Sequence, residues 1–279
     1  MKRRTLLLSA AIPAAILCFC LLVMIFLPVG ELHGALDRAL ANKGYTLRNA
    51  HFGKAFPLGI QAVESELASA QGPLLKLDKV RLTLRIFPLF LGRVVIDYRG
   101  SIGAGSIEGD CTLTGNSAGT LDIRGVRLED IPFFATVAGA QAKGELRASG
   151  SFRQQRNVPT GALQLAVRGA ELRGLKISGA PLPDATYKTV QGMLRLADGR
   201  ANLESFTLDG EGLYVRLKGD MPLVQPVTNA PLNLTLEMMP KPDFLEKQKF
   251  VFLLMLKYLT SPGHYQIPIR GTLAKPALS

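Results

Sequence analysis

Along most of this chain, from about Tyr45 to Met239, apolar and polar residues alternate with a period of two. Val80-Arg81-Leu82-Thr83-Leu84-Arg85-Ile86 is the clearest case. In a strand its four aliphatic side chains take one face, while Arg81, Thr83 and Arg85 take the other. Residues 121–124, 163–167, 215–218 and 232–236 repeat the pattern. Glycines punctuate the runs about every ten residues. A loose Gly-x-Leu/Ile pattern at Gly105, Gly119, Gly144 and Gly192 reads as a series of similar hairpins. Asp198-Gly199 separates two short apolar runs and carries the signal of a tight hairpin turn. The alternation predicts an extended, curved antiparallel sheet with one apolar and one polar face. It fixes faces and leaves strand order open.

The period changes to a helical one twice. Leu32, Leu36 and Leu40 recur at i, i+4 and i+8 within residues 31–43, and Gly44 supplies a stop. Near the end, Asp243 followed by Glu246 makes an acidic cap pattern for a helix over residues 244–259. Phe244, Leu245, Gln248, Val251, Phe252, Met255, Leu256 and Leu259 share one of its faces. Its apolar run, residues 250–256, is too short to span a bilayer. Packing against the sheet is one reading of that run, and docking in a membrane interface is the other. Strand spacing returns at Tyr265, Ile267 and Ile269.

Residues 6–29 carry no charge and follow Lys2, Arg3 and Arg4. As a helix this stretch rises about 36 Å, enough to cross a hydrocarbon core of roughly 30 Å. A cleaved signal peptide fits the basic start, but its apolar region is usually ~7–15 residues and ends at a small-x-small site. Neither holds here, and Leu17 before Cys18 disfavours a lipoprotein. The expected division is a cytoplasmic stub at 1–5, a transmembrane helix at 6–29 and an exported β-rich domain at 30–279. The expected fold class is therefore mainly β. An N-terminal transmembrane helix precedes an extended, curved antiparallel sheet, with a short N-terminal helix and one C-terminal helix.

Composition narrows the chemistry. Of 279 residues, 47% are hydrophobic and 20% charged, which excludes a disordered chain. Gly (28) and Pro (17) show no Gly-X-Y period and are too many for long helices, so collagen and helical bundles are out. Cys18 and Cys20 fall in the expected span, leaving Cys111 without a disulfide partner in the exported part. His33, His51 and His264 form no metal-ligand spacing. Gly115-Asn116-Ser117-Ala118-Gly119 matches the G-x-S-x-G nucleophile elbow, and Asp184 and His264 follow in the order a hydrolase requires. The strand spacing that continues at 120–124 contradicts that context, so the segment reads as a hairpin loop. Gly103, Gly105 and Gly109 do not form a dinucleotide fingerprint. No catalytic, cofactor-binding or metal-ligating residue is expected.

The net charge is +11, and +8 once the three N-terminal basic residues are set aside. Arg81, Arg85, Arg93 and Arg99 are the densest basic group, yet the strand pattern puts them on the solvent side. No basic run interleaves with aromatic residues, so nucleic acid is not an expected partner. Anionic lipid head groups or an acidic protein surface would suit the charge; solubility and protected sheet edges explain it equally.

The C-terminal half, residues 169–278, resembles the type II secretion system protein N family. The resemblance lies in Gly179-Ala180-Pro181-Leu182-Pro183, the glycine-bounded strand 213–219 and Pro231-Leu232-Asn233-Leu234-Thr235-Leu236. It continues in the helix from Asp243 and the ending Gly263-His264-Tyr265-Gln266-Ile267-Pro268-Ile269-Arg270-Gly271-Thr272-Leu273. The N-terminal half is similar to the wider AsmA-like group of anchored envelope proteins: an anchor, a short helix, Phe56-Pro57-Leu58-Gly59-Ile60, Pro88-Leu89 and a Gly-rich segment at 101–109. These resemblances imply a single-pass inner-membrane protein of a Gram-negative bacterium with a periplasmic sheet domain. They also imply a non-enzymatic accessory role in type II secretion, with other components of that apparatus as partners. Lipid handling of the AsmA-like kind is the alternative, with phospholipid on the apolar face that includes Val80, Leu82, Leu84 and Ile86. Those residues equally suit an ordinary core.

Overall fold

The computed structural model describes residues 29–42, 44–56, 58–115, 117–136, 139–155, 158–177, 180–224, 229–273 and 275–278. The stub at 1–5 and the expected span at 6–29, apart from Val29, lie outside them. Among the described residues no helix is long and apolar enough to cross a membrane.

The protein is mainly β, as the alternation predicts. Its first eight strands are Tyr45–Ala55 (β1), Gly59–Ser69 (β2), Gly72–Leu84 (β3), Val95–Ile102 (β4), Gly105–Thr112 (β5), Ala118–Arg127 (β6), Gln141–Gln155 (β7) and Val158–Arg173 (β8). A two-stranded hairpin, Lys176–Ile177 (β9) with Ala180–Pro181 (β10), stands apart from the main sheet. Ala185–Ala197 (β11), Arg200–Gly210 (β12), Leu213–Pro222 (β13) and Asn233–Pro240 (β14) resume it. Leu259–Ser261 (β15), His264–Gly271 (β16) and Pro276–Leu278 (β17) complete it.

Every strand from β1 to β14 pairs antiparallel with the next strand of the main sheet, and β16 then pairs with β14. The strand order left open by the alternation is thus a plain meander. It does not close: β1 forms one edge, while the three-residue strands β15 and β17 share the other along β16. Such short pieces leave little free edge for a foreign strand to extend.

Local sequence accounts for the turns. Ala197 pairs with Arg200 across Asp198 and Gly199, whose φ values of 51° and 70° are those of a two-residue hairpin turn. Gly44 has φ 80° and ends the helix Val29–Ala41, its N–H donating to the Ala41 carbonyl at 2.9 Å. That helix lies on β1, where the His33 ring stands 5.0 Å from Phe52 and His33 Nε2 is 3.2 Å from Asn49 Nδ2.

Three expectations need correction. The successive hairpins read from the Gly-x-Leu/Ile pattern are present, but its glycines do not sit in their turns: Gly119, Gly144 and Gly192 lie inside β6, β7 and β11, and Gly105 opens β5. Three clear space for a side chain of the neighbouring strand, and Gly105 for the Val126 backbone as well as its side chain. A Cβ at Gly192 would stand 2.6 Å from Phe206 Cδ2, and one at Gly144 would stand 2.8 Å from Val167 Cγ1. At Gly119 the obstacle is Phe152 Cε2 at 2.7 Å, and at Gly105 it is Val126 Cγ2 at 2.6 Å.

The run from Val80 leaves the sheet after Leu84. Ile86 opens a one-turn helix, Ile86–Leu89, so it does not share the face of Val80, Leu82 and Leu84. Pro88, which has no N–H for a ladder, sits in that turn.

The single helix expected over 244–259 is two helices, Pro242–Lys247 and Lys249–Leu254, followed by a 3₁₀ turn, Leu256–Tyr258. The break falls at Gln248, whose φ and ψ are −110° and 24°. Lys241, not Asp243, is the N-cap, with Pro242 at the first helical position, where a missing N–H costs nothing. The tighter final turn rotates Leu256 and Leu259 outward and turns Tyr258 in.

The core collects at the C-terminal end. Phe252, Met255 and Tyr258 pack beside Val190, Leu208, Val215, Met238 and Tyr265. The Phe252 ring lies 5.1 Å from Tyr265 and 6.2 Å from Phe244. Phe244 in turn covers Gly212, whose carbonyl accepts the Lys241 N–H at 2.8 Å. Tyr265, Ile267 and Ile269 are all buried on β16, as their spacing predicts.

Candidate functional site: the apolar face of the sheet

Antiparallel register places directly opposed residues on the same face, so the pairing can be followed strand by strand across the molecule. One row runs Phe52, Ala62, Val80, Gly100, Ile107, Ile123, Ala148, Leu165, Gly192, Phe206, Leu217, Leu236 and Ile267. No polar side chain interrupts it. At about 4.8 Å per strand its twelve steps follow roughly 58 Å of sheet. A second row, two residues along each strand and three on β12, where a bulge intervenes, runs from Ile60 and Leu82 through Tyr98, Gly109, Leu121, Gly150, Leu163, Leu194, Leu203, Gly219 and Leu234 to Ile269.

Burial along these rows is graded. Ile267 is 0% exposed and Leu236 8%, under the C-terminal helices and their neighbours. Towards the middle and the N-terminal side, Val80, Leu82, Leu121, Ile123, Leu163 and Leu165 are only half-buried. Full burial of such a side chain is worth about 1.5–3 kcal/mol, so each holds back part of that gain. A guest covering them would release it. Between β1 and β3 the same face has a mainly apolar hollow of about 90 Å³, lined by Phe52, Ile60, Ala62, Val80 and Leu82, with Asn49 and Ser65 also in its wall. At the rim carrying the β1–β2 and β3–β4 connections, Phe56, Phe87 and Leu91 are exposed by 81%, 83% and 73%.

Aromatic rings over in-strand glycines shape this face. Tyr98 lies across Gly109 and donates its hydroxyl hydrogen to the Thr120 carbonyl at 2.6 Å. Phe152 covers Gly119 and Phe206 covers Gly192. Burial, with lesser help from Asp110 and Cys111, raises the Tyr98 phenol above its ordinary range. Cys111 also belongs to this face, opposite Ile96 and Gly119, and burial followed by Asp110 raises its thiol. The sequence offered one signal for these pairs: glycine in one strand where the adjacent strand carries an aromatic residue. Without the register that signal could not be read.

The opposite face is polar. Arg81 and Arg99 are exposed on β3 and β4, as the pattern predicts, whereas Arg85 and Arg93, also exposed, stand in the β3–β4 connection. Arg85 pairs with Asp97 at 2.6 Å, and Arg81 donates to the Phe56 carbonyl at 2.6 Å. A cleft of about 780 Å³ crosses β6, β7, β8, β11 and β12 with Asp122, Arg147, Gln164 and Gln191 among its lining residues. Its charges pair within their own strands, Arg124 with Asp122 at 2.7 Å and Arg147 with Glu145 at 2.9 Å.

The hydrolase residues do not assemble. Ser117 lies in the β5–β6 connection, where its carbonyl accepts the Gln154 N–H at 2.6 Å. Asp184 immediately precedes β11 and accepts the Gly174 N–H at 2.7 Å. His264 opens β16, with Nδ1 3.0 Å from Thr260 Oγ1. The meander puts Ser117 at one rim and the other two at the opposite rim, a strand length of about 34 Å away. His264 lies on β16, far from His33 and His51 at β1, and among the described residues no group of three or more His, Cys, Asp or Glu could hold a metal ion. Comparison with protein-family models, curated proteins and solved structures finds no match to this chain.

Proposed function

We propose that this protein is a non-enzymatic accessory component of a type II secretion apparatus, anchored in the bacterial inner membrane by residues 6–29 with the sheet in the periplasm. One observation carries the reading. Four of the five segments that resemble the protein N family lie beside one another in the structure. β13, containing most of 213–219, pairs with β14, which pairs with β16. Pro231 bridges Thr272, and the Leu232 N–H reaches the Gly271 carbonyl at 2.9 Å. The helix containing Asp243 seats Phe244 on Gly212, immediately before β13. The test is deletion of the gene in its host. Secreted proteins are expected to accumulate in the periplasm, with export restored by the full chain; undiminished export without the gene sinks the proposal.

A second reading is favoured by the half-buried apolar rows: this face holds acyl chains. A photoactivatable amino acid at Leu165, on the apolar face, is expected to crosslink to metabolically labelled phospholipid in cells. The same probe at Gln164, on the polar face, is expected not to. Absence of labelled adduct at Leu165 removes this reading and leaves the secretion role standing.

A further inference from the structure

The C-terminal helices bury one side and leave a second apolar side uncovered. Phe252 is 2% exposed, Met255 3% and Tyr258 8%, so the inward side already meets the core. A surface helix then turns charged and polar residues outward. Here Phe250 is 85% exposed, Leu254 68%, Leu256 51% and Leu253 48%. Side chains of this size, contiguous over seven residues, mark a surface that is covered in use.

We propose that the outward side of residues 249–256 inserts into the interfacial layer of an anionic phospholipid bilayer. Charge selects this occupant over a protein. From Lys247 to His264 the chain has three lysines and no acidic residue. Lys247, Lys249 and Lys257 are exposed around the patch. Protein interfaces favour Arg and are depleted in Lys. A bilayer surface suits Lys, whose apolar stem lies along the acyl boundary while its ammonium reaches the head groups. Beyond the lysines, the outward side chains from Phe250 to Leu256 offer no hydrogen-bonding group by which a protein partner could be oriented.

The topology adds a second argument. Twelve strands of alternating direction separate the start of β1 from the end of β14. The patch therefore emerges at the rim where the chain enters the sheet from its N-terminal segment. The inference does not depend on the secretion role.

The chain has no tryptophan, so Phe250→Trp gives a single reporter at a site with room for it. The full-length variant is reconstituted in vesicles of phosphatidylethanolamine and phosphatidylglycerol containing lipid brominated on the acyl chains. Blue-shifted emission quenched by bromine is expected, from an indole about 5–10 Å into the boundary region. Replacing phosphatidylglycerol by phosphatidylcholine is expected to weaken the quenching, and adding Leu254→Asp to abolish it while far-ultraviolet circular dichroism keeps its β signal. Emission typical of an exposed indole overturns the proposal. So does a blue shift that bromine does not quench, which would mean protein cover, and so does quenching indifferent to lipid charge. If the Asp variant fails to fold, the single Trp variant still decides.

Discussion

The Tyr98 hydroxyl on β4 donates to the carbonyl of Thr120 on β6 at 2.6 Å, passing over Gly109 on the strand between them. Three strands are tied by one side chain, and the glycine is what lets it pass. Gly109→Ala places a methyl group against the Thr120 carbonyl oxygen and the phenol that bonds to it. Its expected cost is about 1–3 kcal/mol, the usual range for overpacking. Tyr98→Phe loses one hydrogen bond and is expected to cost about 1 kcal/mol. In urea unfolding the double variant is expected to fall short of the sum, because both changes disturb one contact. Strict additivity would show that the ring and the glycine act independently.

The graded burial of the apolar face predicts graded costs. Ile267→Ala, at a fully buried position, is expected to destabilise by about 2–5 kcal/mol. Leu165→Ala, half-buried in the same register row, is expected to cost about 1 kcal/mol. Chemical denaturation of the two variants compares them directly. Equal losses would mean that the centre of the sheet is as well packed as its C-terminal end.

Acid stability depends on the Arg200–Asp220 pair. The Arg200 guanidinium holds the Asp220 carboxyl below its ordinary value, with help from the Asn233 amide. A carboxyl depressed on folding contributes stability above its unfolded pKa of about 3.9, and loses it as pH falls through the lower folded value. Unfolding free energy followed downward from about pH 5 should therefore fall less steeply for Asp220→Asn than for the parent. Parallel profiles would refute the assignment.

Cys111 should be a sluggish thiol. Burial and the nearby Asp110 both disfavour the thiolate, which is the reactive form. Alkylation by iodoacetamide near pH 8, followed on the Cys111 peptide by mass spectrometry, should be slower in the folded protein than in urea. A faster folded-state rate would contradict the placement of Cys111 on the apolar face.

Much of this architecture was legible in alternation alone. Val80, Leu82 and Leu84 share a face, Asp198-Gly199 turns a hairpin, and Tyr265, Ile267 and Ile269 point inward, because each depends on neighbours in sequence. The meander was not legible, since strand order rests on pairings that the period of two does not encode. Gly119 looked like a turn residue because its reason lies in Phe152, on another strand. The C-terminal helix was mistaken at its far end for a related cause. An ideal helix aims Leu256 and Leu259 inward, whereas the 3₁₀ turn gives that place to Tyr258. The candidate face followed from the alternation, but its half-open state did not, because the pattern shows which side is apolar and not what covers it.

The meander has a consequence for how such a protein can vary in size. Each strand depends on its two chain neighbours, so inserting or removing a whole hairpin changes the sheet by about 9.6 Å and keeps every other register. Longer and shorter versions would differ by pairs of strands and keep both apolar rows continuous.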